Sequence, residues 1–263
     1  MTALNLIHCQ PDPQKFGLWA SRHGVLPSGG DLGYALHAAL HAVFGPLAPK
    51  PFYYRDARAG LIAYSQHSAQ ALREASALCA APELADALGL DAGPRSAGLN
   101  IRAFPTQWQA GRVLGFEVRV RPTRRRERVD EKKVSERADE KKARERDAFL
   151  VACSQRPEDD DLRREAVYAE WLNEQFRSTG AASLVEARMT RFQLRPVLRR
   201  TQAVSGDGTP RQSRSIDGPD AVFTGHLRVE ESDAFARLLA RGVGRHRAFG
   251  FGMLVLKPAS IDG

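Results

Sequence analysis

The segment Val113-Leu114-Gly115-Phe116-Glu117-Val118-Arg119-Val120 decides how the chain is organised. Apolar and polar residues alternate along it, which is the pattern of a strand with one buried and one solvated face. Residues 105–111 before it begin with proline and end with glycine, as a linker does. The elements on the two sides of this linker follow the same order. We therefore predict two domains, residues 1–106 and residues 107–263.

The first domain has its clearest helix at residues 32–44. Asp31 is a good N-cap for this helix, and four aliphatic side chains share one face at 100° per residue. They are Leu32, Leu36, Leu40 and Val43. The remaining elements are strands at 4–9, 51–54, 61–64 and 99–104 and an alanine-rich helix at 69–80. The resulting order, β-α-β-β-α-β, is the ferredoxin-like pattern.

The second domain repeats this order with insertions. After the strand at 113–120 come a charge-rich tract, a helix, two strands, a short helix and a last strand. We place these elements at 163–176, 184–197, 221–229, 233–239 and 251–256. Residues 205–219 are rich in Gly, Ser, Asp and Pro and predict a mobile loop. The fold class is therefore α+β: two tandem ferredoxin-like (RRM-like) domains, the second carrying a charged helical insertion.

The overall composition favours a basic, soluble, cytoplasmic protein. Of 263 residues, 43% are hydrophobic and 27% are charged, and the net charge is +8, which suits a polyanionic partner. The three cysteines lie far apart with no CxxC pair, so neither a disulfide scaffold nor a structural zinc site is expected. No stretch resembles a signal peptide or reaches the ~20 apolar residues that cross a bilayer. The sequence implies no cofactor, no metal and no membrane partner.

Most of the net charge lies in one tract. Residues 119–146 contain 13 basic and 7 acidic side chains, and from 123 to 147 the only aliphatic residues are two valines and two alanines. Its Glu, Lys, Arg and Ala favour a helix, yet no apolar stripe would bury it against a core. Lys133, Arg137, Lys141 and Arg144 fall on one face of such a helix. The tract is either a solvated, salt-bridged segment or a basic finger that lies along phosphates.

A glycine-rich segment near the C-terminus reads Gly242-Val243-Gly244-Arg245-His246-Arg247-Ala248-Phe249-Gly250-Phe251-Gly252. Glycines let a backbone approach a ligand closely, so exposed amides can receive phosphate oxygens. The segment is not a P-loop, because no Gly-Lys-Ser/Thr follows. Nor is it a dinucleotide fingerprint, because a helix precedes it and a strand follows it. A purely structural glycine turn is the alternative.

The first helix carries a candidate catalytic face. Tyr34, His37 and His41 lie within about 60° of one another, opposite the aliphatic stripe. Histidine can act as a general acid or base, and a phenol can position a reacting oxygen. The i, i+4 histidines lack the carboxylate ligand of a metal site. Surface histidines without a role are the alternative.

Together these features resemble the CRISPR-repeat-processing endoribonucleases of the RAMP superfamily, in particular the CasE branch, over nearly the whole chain. The resemblance rests on Tyr34-Ala35-Leu36-His37, on Leu114-Gly115-Phe116-Glu117-Val118-Arg119 and on the glycine-rich segment. It implies two ferredoxin-like domains that grip a repeat hairpin of precursor CRISPR RNA. It also implies metal-independent cleavage at the 3′ base of the stem by the upstream 2′-hydroxyl, which leaves a 2′,3′-cyclic phosphate and a 5′-hydroxyl.

Carried over by this resemblance, His37 is the general acid or base, Tyr34 positions the 2′-hydroxyl or phosphate, and nearby arginines stabilise the developing charge. The insertion at about 122–160 looks like the arginine-rich helical finger of type IV CRISPR processing enzymes. Some RAMP nucleases use arginines in place of histidine, so Arg22, His23 and Arg241 are reserve catalytic candidates. The residues expected to contact RNA are Arg119, Arg121, Arg124, Arg125, Arg126, Arg128, Lys133, Arg137, Lys141, Arg144, Gly242, Gly244, Arg245, His246, Arg247, Gly250 and Gly252.

The resemblance implies two kinds of partner, the CRISPR repeat hairpin and other subunits of a CRISPR effector complex. Two rival functions stay open from the sequence. A non-catalytic RAMP subunit would bind CRISPR RNA inside an effector complex and would not need Tyr34 or His37. A general RNA chaperone would bind unrelated hairpins about equally well.

Replacing Arg124, Arg125, Arg126 and Arg128 together with alanine tests the basic finger. If these side chains neutralise phosphates, repeat RNA binds more weakly and log Kd depends less steeply on log salt, by up to about 0.9 per lost contact. Fluorescence anisotropy across a salt series measures the slope. An unchanged slope would remove the finger from the RNA-binding surface.

Overall fold

The computed structural model describes residues 3–26, 31–93, 96–125, 145–200 and 213–259. Its strands form two four-stranded sheets, one on each side of the predicted linker. Each sheet has the strand order of a ferredoxin-like domain, so the predicted fold class is confirmed. Within the described residues, no helix combines the length and the apolar character needed to cross a membrane.

The first sheet is built from β1 (Leu4–Cys9), β2 (Phe52–Asp56), β3 (Gly60–Ser65) and β6 (Asn100–Phe104), in the order β2-β3-β1-β6. A two-residue pair, β4 (Ala92–Gly93) and β5 (Ser96–Ala97), precedes β6. Alternate residues of β1 face opposite sides of the sheet. Ile7 and Cys9 pack into the helix-side core, whereas Leu4 and Leu6 pack into the core of the second domain. The first sheet is therefore buried on both faces.

Four helices cover the first sheet: α1 (Pro13–Arg22), α2 (Gly33–Phe44), α3 (Ala69–Cys79) and α4 (Pro82–Leu88). The predicted helix α2 begins at Gly33, and Asp31 accepts a hydrogen bond of 2.8 Å from the Gly33 amide. Helices α1 and α4 were not predicted. Both have proline at their first position, and in α1 the buried residues Phe16, Trp19 and Ala20 form a stripe too short to stand out in the sequence.

The second sheet is built from β7 (Val113–Val120), β10 (Ala182–Arg200), β11 (Ser213–Val229) and β12 (Leu254–Lys257), in the order β10-β11-β7-β12. Helices α6 (Arg164–Arg177) and α7 (Ser232–Arg241) pack on it. β11 pairs with β7 only from residue 221 onwards, whereas it pairs with β10 from residue 213. Residues 193–200 and 213–220 therefore form a two-stranded arm that extends past the sheet.

The arm corrects the prediction of a loop over 205–219. Residues 213–219 belong to β11, and residues 205–212 lie outside the described part. Pro219 is tolerated because this part of β11 has β10 on one side and no β7 partner on the other. Gly218 lies against Arg121: a Cβ there would lie 2.4 Å from its Nη2, so a larger residue would displace this guanidinium. The turn-type residues Asp217, Gly218 and Pro219 therefore belong to a strand and not to a loop.

The insertion lies between β7 and α6. Its two ends pair as short strands, β8 (Thr123–Arg125) and β9 (Glu145–Asp147), and α5 (Ala148–Gln155) follows directly. The prediction of a helical finger over about 122–160 is thus wrong at its base, where strand pairing replaces helix. Residues 126–144 lie outside the described part of the chain.

β7 differs from its prediction in one important way. The alternation suggested one solvated face, yet seven of its eight residues are buried, because the polar face packs against the first domain. Glu117 accepts hydrogen bonds from Arg55, Tyr53 and Lys257. Burial alone would raise the pKa of Glu117, but the hydrogen bonds and charges of Arg55 and Lys257 lower it to about 2. The carboxylate therefore stays charged at the domain interface.

Arg119, two residues further along β7, connects both domains. Its Nε and Nη2 donate to the two carboxylate oxygens of Asp220 at 2.8 Å each, and Nη2 also reaches Asp31 at 3.3 Å. Its guanidinium lies over the ring of Phe251, 4.2 Å from the centroid. Asp31 precedes α2 and Asp220 lies on β11, so one buried arginine links the start of the candidate catalytic helix to the second sheet.

Replacing Arg119 with alanine is expected to lower the free energy of unfolding by about 3–5 kcal/mol, because it leaves the buried Asp220 carboxylate without its main partner. Urea unfolding followed by circular dichroism measures the loss. Arg112→Ala, an exposed arginine just before the same strand, is the control and should change stability by no more than about 0.5 kcal/mol. Equal stability of the two variants would contradict a structural role for the Arg119 network.

Candidate active site and RNA interface

The candidate catalytic face of α2 meets the glycine-rich segment of the second domain. The contact is close enough to require glycine at the start of the helix, because a Cβ on Gly33 would lie 2.3 Å from the Phe249 carbonyl oxygen. One short 3-10 turn, Arg247–Phe249, presents the Phe249 ring to α2. The structure therefore brings together two motifs that lie about 200 residues apart in the sequence.

His37 lies at the centre of this contact. Its ring centroid is 5.1 Å from that of Phe249 and 4.5 Å from that of His41, both edge-on. Tyr34 stacks against the same phenylalanine with centroids 6.3 Å apart, and its own ring centroid is 6.5 Å from that of His37. Tyr34 and His37 are partly exposed, as reactive groups that must reach a substrate should be. Tyr34 and His37 thus lie on one face of α2, and the Phe249 ring of the second domain borders this face.

The electrostatic surroundings of His37 favour its neutral form. Burial lowers the pKa of His37, and the positive charges of His41 and Lys50 lower it further, to about 4. At neutral pH the imidazole therefore carries no charge and has a nitrogen free to accept a proton. Lys50 was not named by the sequence analysis. It lies between α2 and β2, with no motif around it to give a signal.

The glycine-rich segment is shaped mainly by contacts within the protein. The amides of Gly242, Val243 and Gly252 donate to carbonyl oxygens of Leu238, Gly252 and Arg119. Gly252 has φ +77°, and a Cβ there would lie 2.2 Å from the Val243 carbonyl oxygen; a Cβ on Gly244 would lie 2.8 Å from the Trp171 ring. Gly250 likewise faces Phe52. We therefore do not count the Gly242 and Gly252 amides among the groups that could receive phosphate.

Two side chains of the glycine-rich segment are paired with the insertion. Glu145 of β9 accepts from Nε of Arg245 at 2.9 Å and lies 2.8 Å from Nε2 of His246. The His246 side chain is fully buried, so it has no direct access to RNA, whereas that of Arg245 is about half exposed. The segment and the root of the insertion thus form one unit.

Arg241 and Arg247 lie close together at the end of α7. Nη1 of Arg247 donates to the Arg241 carbonyl oxygen at 2.9 Å, and burial and the charge of Arg241 lower the pKa of Arg247. Their mutual repulsion favours an anion between or beside them. Of the three reserve candidates, Arg241 is therefore linked to the turn that carries Phe249.

The other two reserve candidates have contacts within the first domain. Arg22 donates to the Glu83 carboxylate at 2.7 Å, and both side chains are more than half exposed. His23 ends α1, where its Nδ1 lies 2.8 Å from the Trp19 carbonyl oxygen and its ring stacks on the Trp19 ring. These contacts do not connect either residue to His37.

The basic tract divides into buried, exposed and undescribed residues. Arg119 and Arg121 are buried, which shields them from a phosphate backbone, and Arg121 donates to the Arg195 carbonyl oxygen at 3.2 Å. Arg124 is exposed and pairs with Glu174 at 2.7 Å. Arg125 ends β8. The remaining predicted contacts lie outside the described residues: Arg126, Arg128, Lys133, Arg137, Lys141 and Arg144.

Sequence reasoning missed a basic surface on β10, where the arm begins. Asp220 is fully buried and is satisfied by Arg119 and by Gln193, which donates at 2.9 Å. Arg191 and Arg195, on the same face of β10, stay 4.0 Å and 3.9 Å from this carboxylate with partly exposed side chains. The arginines at 188, 191 and 195 within one predicted strand were the available signal.

In the described part of the chain, no group of three His, Cys, Asp or Glu side chains could hold a metal ion.

The low pKa of His37 can be measured by an NMR pH titration of its ring protons in the RNA-free protein. We expect a midpoint near 4 instead of the usual value near 6.5, rising in His41→Ala and in Lys50→Gln because each variant removes one repelling charge. Lys15→Gln, whose amine pairs with Asp86 on α4, is the control and should leave the midpoint unchanged. A midpoint near 6.5 in the wild type would contradict this electrostatic description.

The chain was compared with family models, with curated proteins and with solved structures. A comparison with curated proteins found no match. Thermus thermophilus Cse3, solved with an RNA representing a pre-cleavage complex, superposes with a TM-score of 0.58 at 15% identity, covering 97% of this chain and 100% of that one. Cas6e from Escherichia coli K-12 superposes with a TM-score of 0.50 at 19% identity, covering 97% and 99%. At these identities the superpositions establish a shared fold.

A chain of a CRISPR RNA-guided surveillance complex in a pre-nicking state is also similar, with a TM-score of 0.53 at 16% identity and coverage of 97% and 99%. The link to the type IV subgroup depends on the insertion alone and stays a prediction. The family model described as "CRISPR associated protein" matches residues 6–258. With two ferredoxin-like domains joined through one histidine-bearing face, the chain belongs to the CRISPR-associated protein family.

Proposed function

We propose that the protein is a metal-independent endoribonuclease that cleaves the repeat hairpin of precursor CRISPR RNA at the 3′ base of its stem. The observation that carries this proposal is the neutral, partly exposed His37 beside Tyr34, with Lys50 close enough to lower its pKa and Arg247 on the turn that carries Phe249. Similar folds include a Cse3 solved with an RNA representing a pre-cleavage complex. The family membership and this geometry support the same reaction.

His37 acts as the general base. Its neutral imidazole takes the proton of the 2′-hydroxyl upstream of the cut, and the 2′-oxygen attacks the phosphorus. The bond from phosphorus to the 5′-oxygen then breaks, which leaves a 2′,3′-cyclic phosphate and a 5′-hydroxyl once that oxygen gains a proton. Acid–base help of this kind contributes roughly 10²–10⁴-fold in rate. Tyr34, held against Phe249, orients the 2′-hydroxyl or the phosphate.

Negative charge grows on the phosphate as the new bond forms. Preorganised cations in a partly buried site stabilise such charge far better than water does. Lys50 is close enough to His37 to influence its pKa, and Arg247 lies on the turn that carries Phe249. Arg241 adds a second guanidinium beside Arg247. We assign these three side chains to the phosphate.

The stem of the hairpin is gripped by arginines outside the catalytic face. Arg191 and Arg195 on β10 are partly exposed, and the Asp220 oxygens near them already accept bonds from Arg119 and Gln193. Arg124 at the root of the insertion is exposed as well. After cleavage the enzyme stays on its product and joins an effector complex, as the similar fold in a surveillance complex suggests.

Incubation of a repeat hairpin with the protein in EDTA tests the activity. We expect a single cut at the 3′ base of the stem with a 2′,3′-cyclic phosphate end, and a rate lowered about 10²–10⁴-fold in His37→Ala. His67→Ala, an exposed histidine before α3, is the control and should cut at the wild-type rate. Tight binding without a cut would favour the non-catalytic RAMP subunit. A cut that persists in His37→Ala would move the chemistry to Arg241, Arg22 or His23.

A substrate with sulphur in place of the bridging 5′-oxygen separates the two possible roles of His37. Its thiolate leaving group needs no proton, so it depends on the base but not on the acid. With His37 as the base, His37→Ala stays slow on this substrate. Recovery of the wild-type rate would reassign His37 as the general acid.

A further inference from the structure

Glu145 joins the root of the insertion to the glycine-rich segment. Its side chain is 11% exposed, and its two carboxylate oxygens are divided between two neighbouring residues, Arg245 at 2.9 Å and His246 at 2.8 Å. The partners are about 100 residues apart in the sequence. A carboxylate that bridges two residues in this way restrains both the position and the orientation of the segment that carries them.

The held residue His246 controls the turn that follows it. His246 has φ +59°, the left-handed conformation that is uncommon for residues other than glycine, and its side chain is fully buried. Its carbonyl oxygen accepts the Phe249 amide at 2.8 Å, which closes the 3-10 turn. Strained backbone of this kind persists only where the surroundings hold it. The Glu145 carboxylate is one such restraint.

The strand that carries Glu145, β9, is itself anchored to the second domain through Asp147. Two residues further along β9, Asp147 accepts from Arg164 at 2.6 Å and from the Tyr168 hydroxyl at 2.7 Å, and both partners belong to α6. Asp147 also caps α5 by accepting from the Phe149 amide. The strand that carries Glu145 is therefore anchored to the core of the second domain and can serve as a fixed support for the turn.

We propose that Glu145 is a positioning residue for catalysis, which holds the His246 turn so that the Phe249 ring lies against His37. This inference rests on the function proposed above, because it is through His37 that Glu145 affects the reaction. Arg245 and His246 then serve to fix the turn through Glu145. Glu145 itself touches neither RNA nor the reacting atoms.

Single-turnover cleavage at saturating repeat RNA gives the first test. We expect Glu145→Ala to slow the chemical step about 10–100-fold with little change in RNA affinity, since small displacements of catalytic groups have effects of this size. Glu145→Gln keeps one acceptor and should recover part of the rate. The control is Glu170→Ala, which removes an exposed carboxylate that pairs with Arg156 at 3.7 Å. A wild-type rate in Glu145→Ala, or an equal loss in the control, would overturn the proposal.

NMR of the RNA-free protein tests the same proposal without activity. The Phe249 ring shifts the ring-proton signals of His37, and Phe249→Leu marks where these signals lie without it. In Glu145→Ala we expect the His37 signals to move towards those of Phe249→Leu, and signals at the wild-type position would overturn the proposal. If Glu145→Ala does not fold, His246→Asn replaces it, because asparagine tolerates the left-handed backbone but does not reach Glu145. If the wild type does not cut RNA, the proposed function fails while this measurement still decides the role of Glu145.

Discussion

The buried guanidinium of Arg119 is the constraint on which the rest of the structure depends. It binds Asp220 through two hydrogen bonds and reaches Asp31 at the start of α2, while its own carbonyl oxygen accepts the Gly252 amide at 2.6 Å. One side chain and its backbone thus connect the candidate catalytic helix, the arm and the glycine-rich segment. Burial alone would lower the pKa of Arg119, but the hydrogen bonds and charge of Asp220 raise it, so the ion pair stays charged inside the protein.

This network explains how two domains make one site. The first domain contributes the reactive groups of α2, and the second contributes the Phe249 wall and the Arg241–Arg247 pair. Because His37 is partly enclosed at this junction, its pKa falls to about 4 and it is neutral at physiological pH. A stand-alone first domain would lose the part of this burial that Phe249 provides, so the pKa of His37 would lie closer to its ordinary value. In the proposed function, the chemistry therefore belongs to the contact between the domains.

Much of the fold could be predicted from sequence because it depends on local periodicity. The strand 4–9, the helix with Tyr34 and His37 and the repeated element order are local patterns, and all of them are found. Tertiary pairing could not be predicted. The arm forms because β10 supplies main-chain partners to residues 213–220 of β11, and the insertion begins as strands for the same reason. The effect of Lys50 on His37 and the burial of Arg119 and His246 depend on residues that are distant in sequence. No local pattern therefore indicates them.

In the proposed function, the scissile phosphate lies between α2 and the glycine-rich segment. The most direct measurement is a crystal structure of the protein with a repeat hairpin whose 2′-hydroxyl at the cut is replaced by hydrogen, so that the RNA stays intact. We predict the scissile phosphate beside the His37 ring, with Tyr34 and Lys50 within hydrogen-bonding reach and Arg241 or Arg247 on its far side. A scissile phosphate bound at Arg22 and His23, away from Phe249, would contradict it.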